Sequence, residues 1–147
     1  MLLIIDASGS MKKPGGSGEL RMDVAKRMLR DTLHALPADA WRGLMVYGHR
    51  RAKDCTDIEL VSSFGAADAG MIATRIQALQ PKGETPIAAA IQQAARSFAA
   101  LKEQANTIVL VTDGIEECHG NPCASAKAVV AAGLDLKIDI VGFTLNP

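Results

Sequence analysis

No stretch of this chain approaches the roughly 20 apolar residues that a bilayer-spanning helix needs. Charge imbalance is missing too. Sixteen Lys and Arg meet sixteen Asp and Glu, for a formal net charge of +0, and the basic residues do not gather into a long run. A nucleic-acid partner is therefore not expected, nor is membrane contact by this domain. There is no Gly-x-x-x-x-Gly-Lys-Ser/Thr phosphate loop and no Gly-x-Ser-x-Gly hydrolase frame. Internal repeats are absent, and the one compositionally biased stretch is a short glycine-containing loop. Met1 abuts the first apolar run with no charged leader or cleavage site before it. The expectation is a single domain over residues 1–147, cut from a longer protein.

What is present is ordinary for a globular domain: 48% apolar and 22% charged residues over 147 positions, enough for one full core. The chain is organised around Leu2-Leu3-Ile4-Ile5-Asp6-Ala7-Ser8-Gly9-Ser10-Met11. Its apolar run reads as a strand buried on both faces. The polar part begins where that strand ends, and open α/β sheets bind ligands at the carboxyl ends of their strands. Asp6, Ser8 and Ser10 would converge there as one carboxylate and two hydroxyls. Such an all-oxygen set suits a hard divalent cation.

The remaining segments alternate. Residues 12–19 form a loop that rims the candidate site. Leu20, Val24, Met28, Leu29, Thr32, Leu33 and Leu36 recur at helical spacing, and Pro37 stops the helix. Arg21, Lys26, Arg27, Arg30 and Asp31 are expected mainly on its wet side, and Met22, Met28 and Met45 in the core. Trp41–Tyr47 and Ile58–Val61 read as strands joined too closely for a crossover helix, hence an antiparallel hairpin. Asp68 is a candidate N-cap for a helix carrying Met71, Ile72, Ile76 and Leu79. Thr85-Pro86 reads as N-cap and first turn of the next helix, with Ile87, Ile91, Ala94, Phe98 and Leu101 on its apolar face. Thr107–Thr112 is a fourth, central strand. Asn121-Pro122 opens a helix that ends at Gly133, and Leu136–Phe143 is a fifth strand. The fold class is α/β: a doubly wound, mostly parallel, Rossmann-like sheet with one antiparallel edge strand and helices on both faces.

The frame Asp6-x-Ser8-x-Ser10 after a buried strand resembles the metal-ion-dependent adhesion site of von Willebrand factor type A domains. Gly83-Glu84-Thr85-Pro86 offers the threonine that this family places on a second loop. Thr112-Asp113-Gly114, closing the apolar run Val109-Leu110-Val111, offers the aspartate of the third. The resemblance covers nearly the whole chain. Tyr47-Gly48-His49-Arg50, and Thr112-Asp113-Gly114 followed by Cys118 and Cys123, suggest the bacterial secreted or periplasmic type. It implies a further helix after the last strand, which this chain would lack. It also implies metal ligation by Asp6, Ser8, Ser10, Thr85 and Asp113, with Mg2+ expected ahead of Mn2+ or Ca2+. Ser8, Ser10 and Thr85 would ligate directly and the two carboxylates partly through water. The function implied is binding of a protein partner that offers an Asp or Glu to the ion.

Blander readings stand beside these. Thr85 before a proline at a helix start caps that helix whether or not it meets a metal, and Asp113-Gly114 alone is a common turn dipeptide. Two other functions share the same site: a metal-assisted hydrolase, and a scaffold whose site is vestigial. A hydrolase needs a general base, which His49, His119, Glu84, Glu116 or Glu117 could supply. A phosphoryl-accepting Asp6 of the haloacid-dehalogenase type would want a second Asp where Ser8 stands. Non-enzymatic binding is therefore the expectation. His49, Arg50, Glu84, Glu116 and His119 are candidates for a partner-binding rim.

Three cysteines leave an odd count. Cys118 and Cys123 are close enough in sequence for a short disulfide, and Cys55 on the hairpin tip competes for either. A disulfide would fit a periplasmic or extracellular location; three reduced thiols would fit the cytoplasm. Zinc through Cys118, His119 and Cys123 lacks a fourth ligand at a recognised spacing.

Overall fold

The computed structural model describes residues 1–65, 69–98, 106–133 and 135–142. The expected N-cap Asp68, the apolar Leu101, the strand end at Phe143 and the terminal Thr144–Pro147 lie outside them.

Five strands form one sheet: β1 (Leu2–Asp6), β2 (Arg42–Tyr47), β3 (Ile58–Gly65), β4 (Asn106–Thr112) and β5 (Leu136–Gly142). Four helices connect them: α1 (Arg21–Ala35), α2 (Ala69–Gln77), α3 (Ile87–Ser97) and α4 (Pro122–Ala131). The strand order is β3-β2-β1-β4-β5. β1 lies parallel to β2 and to β4, and β5 parallel to β4, while β3 runs antiparallel at the edge. The expected hairpin and the adjacency of β1 and β4 are both present.

The strand residues explain the double winding. Alternate side chains of a strand point to opposite faces, and here both faces are apolar. Leu3, Ile5, Leu44, Val46 and Val111 pack on one face against Met22, Ala25, Leu29 and Leu33 of α1 and Ile72 and Ile76 of α2. Leu2, Ile4, Met45, Tyr47, Ile108 and Leu110 pack on the other against Ile87, Ala90, Ile91 and Ala94 of α3, Phe98 just after it, and Val129 of α4. β1, enclosed between two parallel neighbours and two helical layers, is buried throughout.

Three local expectations are corrected. The buried stripe of α1 is Met22, Ala25, Leu29 and Leu33, whereas Met28 is 37% exposed and Leu20 is also exposed. Two overlapping stripes share Leu29 and Leu33, and the seat of α1 on β1 and β2 selects one. β3 continues four residues past Val61, to Gly65. Thr85 does not cap α3: the helix starts at Ile87, and its first turn is capped from elsewhere, as described below. At α4 the expectation holds. The Asn121 side chain accepts from the Ala124 N–H, Pro122 opens the helix, and Gly133 follows it at φ 77°.

Candidate metal centre

The parallel strands β1, β2 and β4 all end at one edge of the sheet, and the loops leaving them meet there. After Asp6 the chain turns through a short 3-10 segment, Gly9–Lys12. A backbone bridge pairs Ser8 with Gly83, and the Gly9 N–H donates to the Gly83 carbonyl at 2.9 Å. The Lys82 N–H donates to the Ala7 carbonyl, also at 2.9 Å. Gly48, at the end of β2, accepts from the Gly83 N–H at 2.8 Å. Its φ is +73°, and a Cβ there would lie 2.8 Å from the Glu84 carbonyl oxygen. Glycine is required at this junction by both conformation and space.

Five oxygen-bearing side chains are brought together. The Ser8 and Ser10 hydroxyls are 3.1 Å apart. The Ser10 hydroxyl donates to Asp113 Oδ1 at 2.7 Å across 103 residues of sequence. Asp6 receives the Ser8 N–H on Oδ1 at 2.8 Å and the Thr112 hydroxyl on Oδ2 at 2.6 Å. A Cβ on Gly114 would sit 3.6 Å from the Thr85 hydroxyl and 3.8 Å from Asp6 Oδ2, which places Thr85 across the same small space. Asp6, Ser8, Thr85 and Asp113 are all buried.

The Asp6 carboxylate has 0% exposure. Burial pushes its pKa up against the lowering effect of its hydrogen bonds with Ser8 and Thr112, and the nearby charge of Asp113 adds to the rise. Among the described residues no ion pair engages Asp6, while Asp113 is paired with Arg21 at 2.6 Å. The site therefore buries one more negative charge than it neutralises, and such a charge is costly unless paired. No three His, Cys, Asp or Glu side chains gather as a metal cluster among the described residues, so hydroxyls must supply much of any ligand set. Adjacent ligands on an octahedral magnesium, with bonds near 2.1 Å, stand about 3 Å apart, and the spacing of the two serine hydroxyls matches. The donor set fits a hard divalent cation, with Asp6, Ser8, Ser10, Thr85 and Asp113 as the residues that would hold it.

A match to the von Willebrand factor type A domain model spans residues 1–116. The chain belongs to this family. Among its relatives, YwmD of Bacillus subtilis (strain 168) is 30% identical over 152 residues, covering 98% of this chain and 67% of that protein. Among solved structures, an aerotolerance-related membrane protein from Bacteroides fragilis NCTC 9343, carrying multiple mutations to serine, superposes with a TM-score of 0.76 at 24% identity. That likeness covers 97% of this chain and 66% of the other. The chain thus spans about two thirds of the length of either protein. Proximal thread matrix protein 1 from the mussel byssus, in a form with a zinc-occupied MIDAS (metal-ion-dependent adhesion site) motif, superposes with a TM-score of 0.70 at 14% identity over 96% of this chain and 37% of its own. The two structural likenesses are of fold.

Around the von Willebrand A site the structure assigns work to several residues that sequence reasoning had placed elsewhere. The Thr85 hydroxyl is free of capping duty because Glu116 performs it. One Glu116 oxygen accepts from the Ala88 N–H at 2.7 Å in the first turn of α3, and the other from the Cys118 N–H at 3.1 Å. Thr85 donates instead to Glu117 at 3.0 Å. Of the other rim candidates, His49 Nε2 meets Glu59 at 2.9 Å and Arg50 is bonded to Asp57 at 2.7 Å. Glu84 is half-buried beside Gly48, and His119 is exposed with φ 61°. Sequence reasoning missed Arg21, Thr112 and Tyr47. The Tyr47 hydroxyl donates to Thr112 at 3.3 Å, and burial raises its pKa well above the ordinary value. Tyr47 and Thr112 share one signal, position: they end the strands flanking β1.

The cysteine pairing is also corrected. The disulfide joins Cys55 to Cys118, with Cα atoms 5.7 Å apart, and Cys123 is free and exposed. Cys123 lies in the first turn of α4, whereas the hairpin tip carries Cys55 across the site rim to Cys118. The bond links the tip to the loop that follows Asp113.

Proposed function

We propose that this domain binds a protein partner through a divalent cation held by Asp6, Ser8, Ser10, Thr85 and Asp113, and that an Asp or Glu of the partner completes the coordination. The observation that carries the reading is the 2.7 Å contact of Ser10 with Asp113, which joins the first and third loops of the motif around buried Asp6. A bound cation would supply a Lewis-acidic point that favours an anionic oxygen from outside. Mg2+ suits the hydroxyl-rich set, with Mn2+ or Ca2+ as substitutes. Three of the five candidate bases are engaged, His49 with Glu59, Glu116 with backbone N–H groups and Glu117 with the Thr85 hydroxyl, which favours binding over hydrolysis. Exposed Ile115, two residues past Asp113 and 80% accessible, suits a protein-facing rim.

The Cys55–Cys118 disulfide supports a periplasmic or extracellular location. No helix among the described residues is long and apolar enough to cross a membrane. The test is calorimetric titration of Mg2+ and Mn2+ into the domain and into an Asp6→Ala, Ser8→Ala variant. Binding to the parent alone supports the reading. Equal heats from both proteins place the ion elsewhere. Silence from both, with acetate present as a surrogate carboxylate, favours a scaffold with a vestigial site.

A further inference from the structure

Arg21 opens α1, at the end of a helix where the dipole disfavours positive charge. It nevertheless reaches the candidate metal centre. Its Nη1 donates to Asp113 Oδ2 at 2.6 Å, while the Asp113 side chain is fully buried and that of Arg21 is 18% exposed. Among the described residues its Nε is buried without a partner, so the contact with Asp113 accounts for the polar anchoring of the guanidinium. The loop before α1 folds back to deliver it: Pro14 bridges Leu20, and the Arg21 N–H donates to the Lys13 carbonyl at 3.0 Å. Asp113 Oδ1 is taken by Ser10. Both oxygens of the third-loop carboxylate are therefore occupied by protein donors.

We propose that Arg21 is a built-in counter-cation that sets the centre's preference for a partner's carboxylate. This rests on the metal-binding reading above. Asp6 and Asp113 bring two negative charges and Arg21 cancels one. The residue thereby weakens the hold of the protein on a divalent ion and leaves that ion's charge under-compensated, so that an external Asp or Glu contributes more. Loss of Arg21 should move two affinities in opposite senses: tighter binding of the bare ion, and a smaller gain when a carboxylate is added. A purely structural role would weaken both together.

The experiment is calorimetric titration of Mg2+ and of Mn2+, with and without acetate, into the parent domain and into Arg21→Gln, Arg21→Met and Arg21→Lys, each checked by thermal melting. Removing one unit charge a few ångströms from the ion, at the effective dielectric of a protein surface, corresponds to about tenfold or more in affinity. Arg21→Gln and Arg21→Met are expected to bind Mg2+ tighter by that factor with a reduced acetate effect, and Arg21→Lys to stay near the parent. The methionine variant keeps an unbranched stem, so the test survives a folding defect in the glutamine variant. Unchanged or weaker Mg2+ binding in folded Gln and Met variants overturns the inference, as does a lysine variant that behaves like them. If the parent and every variant fail to bind either ion with acetate present, the metal-binding reading itself falls. Binding that appears only when Arg21 is removed supports the inference most directly.

Discussion

Asp57 holds the tip of the β2–β3 hairpin, and its removal gives a prediction that needs no metal. Its side chain has no exposed surface. It accepts the N–H groups of Arg50 and Arg51 at 2.8 and 2.9 Å and the Arg50 guanidinium at 2.7 Å. The Arg50 head is 43% exposed, so the ion pair itself contributes little, about 0–1 kcal/mol. The two N–H bonds to a buried carboxylate contribute most, and Asp57→Ala leaves those donors unpaired. The expected loss is about 2–4 kcal/mol, a fall in Tm of roughly 5–15 °C for a domain of this size. Burial alone would push the Asp57 carboxyl up, but the bonds from Arg50 and Arg51 and the charge of His49 hold it below the ordinary value. A lowered folded pKa means that this stability is present in full above the unfolded value, near 4. It is lost as pH falls through the lowered folded value. Scanning calorimetry of parent and variant should therefore show a gap that is constant from about pH 5 to 7 and narrows in stronger acid. A gap under about 1 kcal/mol at pH 7, or one that persists undiminished in acid while both proteins still melt cooperatively, would refute the reasoning.

Thr112→Val removes the hydroxyl that donates to Asp6 and accepts from Gly114 and Tyr47. It should cost about 1–3 kcal/mol in urea denaturation and weaken Mg2+ binding in calorimetry; unchanged Mg2+ affinity would mean that Thr112 does not orient Asp6. Reduction of Cys55–Cys118, which closes a separation of 63 residues, should lower stability by about 4 kcal/mol in the loop-entropy description. Melting with and without reductant reads this, and Cys123→Ser should leave the oxidised protein unaffected. Gly48→Ala would force a side chain onto the Glu84 carbonyl at a positive φ. It should cost on the order of 1–3 kcal/mol, and it should weaken Mg2+ binding because Gly48 braces the first and second loops; calorimetry matching the parent on both counts would show that the junction yields.

Much of this protein was legible in neighbours along the chain. Near-continuous apolar runs in β1, β2 and β4 encode a sheet covered on both faces, because strand geometry sends successive side chains to opposite sides. Asp6, Ser8 and Ser10 lie within five residues, so their convergence needs only a tight turn at a strand end. Asn121-Pro122 carries its own cap. The tertiary structure decided whatever depends on segments far apart in sequence. Thr85 is released from capping because Glu116, 31 positions on, caps α3 in its place. Cys118 pairs with Cys55 rather than with nearby Cys123, since the hairpin tip and the β4–α4 loop end at the same sheet edge. The buried stripe of α1 was chosen by its seat on the sheet. Arg21 carried no local mark at all: a charged residue at a helix start reads as solvated until the fold sets it against Asp113. Periodicity and caps are encoded by residues a few positions apart, whereas such pairings exist only once the crossovers have brought β1 and β4 side by side.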